Sequence, residues 1–332
     1  MIITKTPLRI SFFGGGTDYP AWVKEHGGAV LSTSINKYSY LHLLRLSPFF
    51  PHRIRIAYSK VEEVKDINEI AHPSVRETLR FMNFDDRLAI HYTGDLPARS
   101  GMGSSSSFTV CLLHSLYGLK GATPDKKKLA EEAIHIEQNL IKENVGSQDQ
   151  IASAFGGFNK IEFNKDGGFT VTPIKLNAKR RKNLQNHMML FFTGFSRTAS
   201  EIVVEQIKNI PNKIKELHMM RDMVDEAIAI LKSDGDWLGN FGKLLNKGWE
   251  LKRGLSSKIS NDSIDDFYDR AIKAGALGGK LLGAGGGGFL LIYARPENQE
   301  KIKEAFSQLL YIPFSFENEG SQIIYHAPNH VF

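Results

Sequence analysis

Residues 100–107 read Ser100-Gly101-Met102-Gly103-Ser104-Ser105-Ser106-Ser107, and they lead directly into the apolar run Phe108–Leu119. An uninterrupted apolar run of this length is typical of a buried helix. Glycines let backbone N–H groups approach an anion closely, and a helix N-terminus adds unpaired N–H donors and partial positive charge. A serine N-cap would explain one serine, but not four serines together with the glycines. We therefore expect residues 101–107 to hold a triphosphate, with serine hydroxyls available to Mg²⁺.

Two further glycine-rich segments lie near the ends of the chain: Gly14-Gly15-Gly16-Thr17-Asp18 and Gly283-Ala284-Gly285-Gly286-Gly287-Gly288. The second formally contains G-x-G-x-x-G, but it is followed by an apolar strand pattern, Phe289–Tyr293, where a dinucleotide fold requires a helix. This excludes a dehydrogenase. The chain also lacks G-x-x-x-x-G-K-[ST] and the H-R-D and D-F-G elements, which excludes P-loop hydrolases and protein kinases.

Two acidic residues occupy positions where a carboxylate can serve chemistry. On the helix predicted over residues 125–142, Glu137 falls between apolar residues at helical spacing rather than on the solvated face. A half-buried acid requires a partner, which is either a metal ion or water at the edge of the apolar stripe. Asp149 precedes the apolar run Ile151–Phe155. It is either a base or hydroxyl-orienting group, or simply a residue of the first helical turn.

The composition is that of a globular protein long enough for two domains. The chain has 332 residues, 42% hydrophobic and 23% charged, and its net charge of +6 is spread in short clusters such as 126–128 and 179–182. Without a long basic tail, a small anion is a better partner than nucleic acid. The single Cys111 excludes an internal disulfide and is expected to be buried. Because no apolar segment has the length of a membrane span or signal peptide, we expect a cytoplasmic protein with no membrane partner.

The order of elements predicts a mixed α+β protein. Strand patterns dominate the first third, and residues 196–255 are mostly helical, with breaks expected at Pro211 and over residues 235–242. We expect one domain over residues 1–180, with the phosphate loop and the two acids, and a second over residues 181–332, with the last glycine-rich loop. The expected strands include 29–46, 53–58, 88–93, 289–294 and 322–326.

Three motifs carry a resemblance to a known family. They are PLRISFFGGGTDY at residues 7–19, LPARSGMGSSS at residues 96–106 and KLLGAGGGG at residues 280–288. In order and spacing they resemble the GHMP kinases, which include galactokinase, homoserine kinase, mevalonate kinase and phosphomevalonate kinase. The resemblance implies a two-domain α+β fold with the active site in the cleft between the domains. It also implies an ATP-dependent phosphotransferase that uses Mg²⁺.

The same resemblance implies roles for individual residues. Residues 101–107 wrap the ATP phosphates, and Ser105 and Glu137 hold Mg²⁺. The catalytic residues are Asp149, which lies beside the accepting hydroxyl, and Arg9, which lies close to it. The residues expected around the sugar are Gly15, Gly16, Thr17, Asp18, Gly285 and Gly286.

The sugar is indicated by one departure from the galactokinases, which carry Glu-His where this chain has Gly15 and Gly16. With TGFSRTASE at residues 193–201, the triple glycine resembles most the D-glycero-D-manno-heptose 7-phosphate kinases, followed by the fucokinases. Those heptose kinases phosphorylate the anomeric oxygen, on the way to nucleotide-activated heptose for surface polysaccharide. Ser196 and Arg197 then bind the phosphate that the sugar already carries, or they merely cap a helix.

The expected partners are therefore a sugar phosphate and ATP, and the chain is a monomer or a homodimer. Two other functions stay open at this point. One is a fucokinase or another sugar 1-kinase. The other is a non-catalytic sensor of sugar and nucleotide on the same fold.

Overall fold

The computed structural model describes residues 1–98, 100–194 and 199–327. Its strands are β1 Ile2–Phe13, β2 Gly28–Arg45, β3 Ile54–Ala57, β4 Val61–Val64, β5 Leu88–Gly94, β6 Phe158–Phe163, β7 Phe169–Pro173, β8 Met188–Phe192, β9 Ala276–Leu281, β10 Phe289–Ala294, β11 Leu310–Tyr311, β12 Phe316–Glu317 and β13 Gln322–His326. Its α-helices are α1 Pro20–His26, α2 Pro73–Phe81, α3 Ser104–Leu119, α4 Lys126–Ile134, α5 Gln148–Phe155, α6 Ala178–Asn186, α7 Ala199–Asn209, α8 Ile214–Lys232, α9 Trp237–Arg253, α10 Asp262–Lys273 and α11 Gln299–Ala305.

The strands form two sheets. In the larger sheet the order is β13-β1-β2-β5-β3-β4, and β6 and β12 also pair with β2, while β7 pairs with β6. This is possible because β2 is 18 residues long, so different parts of it reach different neighbours. In the smaller sheet the order is β11-β8-β10-β9. The predicted α+β class is confirmed, and the predicted strands are all present with ends that differ by at most one residue.

Helix α3 lies in the core against β1 and β2, as its apolar run predicts. It begins at Ser104, four residues earlier than the predicted Phe108, because Gly103 adopts a left-handed conformation with φ 75° and starts the helix there. The four serines therefore form the first turn of the helix rather than a loop before it. Cys111, on the same helix, is buried as expected, and burial raises the pKa of its thiol to about 12.

The helix that carries Glu137 has an irregular second half. Helix α4 starts after Asp125, whose side chain accepts a hydrogen bond from Lys128 N, and it continues as a π-helical segment, His135–Leu140. A π-helical turn re-aims side chains and is frequent at functional sites. Glu137 is buried within this segment, with an exposed fraction of 1%.

The second half of the chain is helical as predicted, but one expected break is shorter. Helix α8 ends at Lys232 and α9 begins at Trp237, so Gly239 and Gly242 lie inside α9. The glycine at 242 serves packing, because a Cβ there would lie 2.6 Å from the Cβ of Leu277 and 2.8 Å from Cδ1 of Tyr293. This close approach holds α9 against β9 and β10.

The last strands return to the larger sheet. Residues of β13 pair with β1, and β12 pairs with β2, so the end of the chain packs with its beginning. The division at residue 180 stays a prediction, and the strands after residue 315 extend the sheet of the first half. Among the described residues, no helix is both long and apolar enough to cross a membrane.

Candidate active site

A cleft with a volume of about 1100 Å³ is lined by residues of all three glycine-rich segments. The loop 100–103 and the loop 282–288 meet there backbone to backbone. A Cβ on Gly101 would lie 2.4 Å from the carbonyl oxygen of Leu282, and one on Gly288 would lie 2.4 Å from the carbonyl oxygen of Ser100. Glycine is required at 101 for a second reason, because φ is +84° there. The predicted site residues that line the cleft are Arg9, Gly15, Gly16, Asp18, Gly101, Gly103, Ser104, Ser105, Ser106, Asp149 and Gly285.

Four other residues predicted to contact a ligand are not among those that line the cleft. The Met102 side chain is fully buried in the core, and the Ser107 hydroxyl donates to Thr6 O at 3.1 Å. The Thr17 hydroxyl is also buried, where it donates at 2.9 Å to Gly14 O and accepts from Ala29 N. The N–H of Gly286 donates to Ile259 O. The hydroxyls of Ser107 and Thr17 and the N–H of Gly286 thus have partners within the protein, and the ligand contacts proposed for these four residues stay predictions.

The centre of the cleft holds an ion pair between Arg9 on β1 and Asp149 in the first turn of α5. Arg9 Nε donates to Asp149 Oδ1 at 2.7 Å and Arg9 Nη2 donates to Oδ2 at 2.9 Å. The third guanidinium nitrogen, Nη1, donates to Gly101 O at 2.8 Å. Arg9 has a side-chain exposure of 5% and Asp149 of 25%. The arginine is therefore almost buried, while the carboxylate is accessible from the cleft. A bidentate pair of this kind fixes the carboxylate in one orientation.

Glu137 lies beside the first turn of α3. Its Oε2 accepts hydrogen bonds from Ser106 Oγ at 2.7 Å and from the side-chain amide of Gln150. Its Oε1 is buried and accepts no hydrogen bond within 3.5 Å, although the nearby Thr109 hydroxyl acts to lower the pKa of Glu137. Burial raises the pKa of Glu137 to about 7, which means that its charge is poorly compensated by the protein alone. A buried carboxylate oxygen of this kind is suited to a cation.

Asp18 closes the other side of the cleft. It is buried, and its oxygens accept hydrogen bonds from Gly16 N at 3.0 Å and from Gln148 Nε2 at 3.0 Å. Burial and the negative charge of Asp149 raise the pKa of Asp18. No sequence motif pointed to Gln148, which directly precedes Asp149. Its side chain connects Asp18 to α5, the helix that carries Asp149.

Two lysines in the cleft wall were also missed. Lys252 near the end of α9 and Lys280 on β9 are each 6% exposed. The sequence offered a weak signal only, since Lys280 stands at the start of the third motif and Lys252 is one of several lysines on its helix. Nothing in the periodicity of α9 distinguishes a buried lysine from an exposed one.

One end of the cleft is lined by aromatic rings that the sequence analysis did not identify. The rings of Tyr58 and His72 are in edge-to-face contact, with their centroids 4.9 Å apart. The centroids of the His72 and Tyr92 rings lie 4.9 and 5.3 Å from that of Phe108. These residues come from four separate segments, so their proximity follows only from the fold.

The predicted phosphate contacts at Ser196 and Arg197 lie outside the described residues. Helix α7, which follows them, contributes Val203 and Gln206 to the cleft. The basic cluster 179–182 lies on and beside α6 instead. There Arg180 binds Leu231 O and Ser233 O, and Arg181 binds Asn318 Oδ1, so this cluster is not part of the cleft.

Comparison with known proteins agrees with this geometry. The sequence profile of the GHMP kinases N terminal domain matches residues 69–157, and that of the GHMP kinases C terminal region matches residues 226–312. The D-glycero-alpha-D-manno-heptose 7-phosphate kinase of Campylobacter jejuni is 29% identical, over 96% of this chain and 97% of its own length. An L-fucokinase/L-fucose-1-P guanylyltransferase of Bacteroides fragilis is 24% identical over 96% of this chain but only 38% of its own length.

Among solved structures, a D-glycero-D-manno-heptose 1-phosphate kinase from Bacteroides thetaiotaomicron superposes with a TM-score of 0.80 and 25% sequence identity. The superposition covers 98% of this chain and 100% of that one. The two family profiles match more than half of the residues, and they include the first turn of α3, both acids and the third glycine-rich loop. The chain belongs to the GHMP kinase family.

Proposed function

We propose that the protein transfers the γ-phosphoryl group of ATP to the anomeric hydroxyl of D-glycero-D-manno-heptose 7-phosphate and releases the 1,7-bisphosphate. The observation that carries the proposal is the bidentate pair of Arg9 and Asp149, because it fixes a carboxylate directly beside the phosphate loop. A Cβ on Gly103 would lie only 3.3 Å from that carboxylate. Similarity to a heptose 7-phosphate kinase over nearly the whole chain supports the acceptor. The product would supply nucleotide-activated heptose for surface polysaccharide.

The nucleotide lies along the cleft from the aromatic end to α3. The rings of Tyr58, His72, Tyr92 and Phe108 offer apolar surface to a base. The N–H groups at the start of α3 and the left-handed Gly103 face the phosphates, where the helix dipole favours negative charge. Binding of the phosphates at this helix start requires no positively charged side chain from residues 100–107.

The residues near Glu137 fit Mg²⁺. The fit rests on Glu137 Oε1, a buried carboxylate oxygen that accepts no hydrogen bond, and on Ser105, an exposed serine of the first turn of α3 that lines the cleft. Ser106 holds the other oxygen of Glu137 and so fixes the direction of the carboxylate. When bound, Mg²⁺ would neutralise charge on the phosphates during transfer.

The acceptor hydroxyl lies against Asp149, which accepts its hydrogen bond and takes its proton late in the transfer, because the transition state of phosphoryl transfer is loose. Arg9 positions this carboxylate and also binds Gly101 O, so it sets the distance between the acid and the phosphate loop. Asp18, held by Gln148, binds sugar hydroxyls on the other side.

The test is a substrate panel with ATP, in which the position of the product phosphate is assigned by NMR. We expect turnover of the heptose 7-phosphate with a new phosphate on the anomeric oxygen. Faster turnover of L-fucose would identify a fucokinase instead. Binding of sugar and nucleotide without ATP consumption would identify a sensor, a function against which the intact Glu137 and Asp149 geometry argues.

A further inference from the structure

The two lysines of the cleft wall have no role in the mechanism described so far. Lys252 Nζ donates to Leu281 O at 3.2 Å and to Gly283 O, and Lys280 Nζ donates to Phe12 O at 2.9 Å. All of these acceptors are neutral carbonyl groups. None of the carboxylates in the described ranges forms an ion pair with either lysine. Each amino group therefore lacks a carboxylate partner at a place with little water.

Buried cations without an anionic partner are costly. Burial and the positive charge of Arg9 lower the pKa of Lys252 to about 8, and burial together with the charges of Lys252 and Arg9 lowers that of Lys280 well below its usual range. Asp149 does not relieve this charge, because its carboxylate is already paired with Arg9. Asp18 offsets part of the charge of Lys252, but it does not form a hydrogen bond with that amino group.

An ammonium has three N–H donors, and Lys280 uses one of them on the protein, while Lys252 uses two. Both side chains line the cleft, so the remaining donors have access to a ligand. A dianionic phosphate is the group that would accept from both lysines and compensate both charges. The two residues reach it from separate elements, α9 and β9, which gives a site of defined geometry.

Given the proposed kinase reaction, on which this inference rests, we propose that Lys252 and Lys280 together bind a phosphoryl group of the substrates. Two groups have this chemistry. One is the phosphate that the acceptor sugar already carries, and the other is the γ-phosphoryl group of ATP. The assignment to one of them is made by experiment.

The experiment uses Lys252→Met, which keeps an unbranched side chain one atom shorter and removes its charge. Lys247→Met, an exposed lysine on the same helix, is the matched control. Steady-state kinetics are measured with the heptose 7-phosphate and with the same heptose lacking the phosphate. Calorimetric titration with the non-hydrolysable ATP analogue AMPPNP and with ADP, both with Mg²⁺, reads the γ-phosphoryl group without any acceptor.

If the lysines bind the acceptor phosphate, KM for the heptose 7-phosphate rises about ten- to a hundred-fold, the range of a lost charge-assisted contact, and KM for the plain heptose is unchanged. If they bind the γ-phosphoryl group, the affinity for AMPPNP falls by a similar factor, the affinity for ADP does not, and kcat falls equally with both acceptors. Either pattern supports the inference.

The inference is overturned if every kinetic and binding constant stays within two-fold of the control. It is also overturned if the affinities for AMPPNP, ADP and both sugars fall by the same factor, which would mean that Lys252 only holds the loop 282–288. Should Lys252→Met fail to fold, Lys280→Met provides the same comparison from the other ammonium. If the parent protein phosphorylates no heptose, the proposed function fails, but the AMPPNP and ADP titrations still test the γ-phosphoryl assignment. Equal loss of both nucleotides, or of neither, then excludes it.

Discussion

The substitution Asp149→Asn replaces one carboxylate oxygen by an NH₂ group, which cannot accept the hydrogen bond that Arg9 donates to it. Arg9 is almost fully buried, so it loses one charge-assisted hydrogen bond and the negative charge of its partner. We expect the free energy of unfolding to fall by about 2–3 kcal/mol. The larger effect is on chemistry, since removing a positioned acid–base group typically lowers kcat by about a hundred- to ten-thousand-fold.

The assay is steady-state kinetics with ATP and the preferred sugar phosphate, together with calorimetric titration of ATP and a thermal unfolding curve. Asp262→Asn is the matched control, because Asp262 is an exposed aspartate in the first turn of α10. The affinity for ATP should stay within a few-fold of the parent, because the phosphates bind at α3. A kcat near the parent value would remove Asp149 from the mechanism, and a loss of ATP affinity equal to the loss of kcat would show that the pair only supports the phosphate loop.

Four further changes test other parts of the site. Glu137→Gln removes the charge that offsets Mg²⁺, so more Mg²⁺ should be needed for half-maximal rate; Mg²⁺ titrations that superpose on those of the parent would contradict the metal role. Gly101→Ala places a Cβ 2.4 Å from Leu282 O at φ +84°, and we expect a loss of about 1–3 kcal/mol in stability and a higher KM for ATP, measured by denaturation and kinetics. The ammonium of Lys252 is less favourable in the folded protein than in the unfolded chain, so the free energy of unfolding of the parent should rise between pH 8 and the ordinary lysine pKa of about 10.4. Denaturation curves of Lys252→Met at several pH values should lack this part of the rise. The same pH dependence in parent and variant would argue against the lowered pKa. Arg197→Ala should raise KM for the sugar phosphate by roughly thirty- to a hundred-fold and leave KM for ATP alone, whereas equal weakening of a sugar without phosphate would exclude the contact.

The family and the α+β class could be predicted because they depend on local patterns. The glycine and serine run before an apolar helix is a contiguous signal, and so is the position of Glu137 among apolar residues. Both describe properties of a single element, which the sequence encodes directly. The family profiles confirm the prediction of a GHMP kinase, and the structure confirms that Glu137 is buried.

The remaining parts of the site depend on contacts between distant segments. Lys252 looks like any other lysine on α9 until β9 and the third loop cover it, and the aromatic end of the cleft combines four segments that share no motif. The start of α3 was predicted too late, because serine favours caps and turns in local propensity while the tertiary structure places these serines in the helix. A motif likewise does not show which hydroxyls the fold itself uses, as those of Thr17 and Ser107 donate to backbone carbonyl groups.

The pairing of β13 with β1 also bears on how the protein is made. Ile2 lies opposite His326, and the Thr6 hydroxyl donates to Ser321 Oγ at 2.7 Å, so one edge of β1 is completed only by residues more than 300 positions later. A ribosome adds roughly 5–20 residues per second, so this edge stays open for a quarter of a minute or more while the rest of the chain emerges. During that time an unpaired strand edge can join other chains. The protein should therefore depend on chaperones during synthesis, and truncation before β12 should lower its soluble yield.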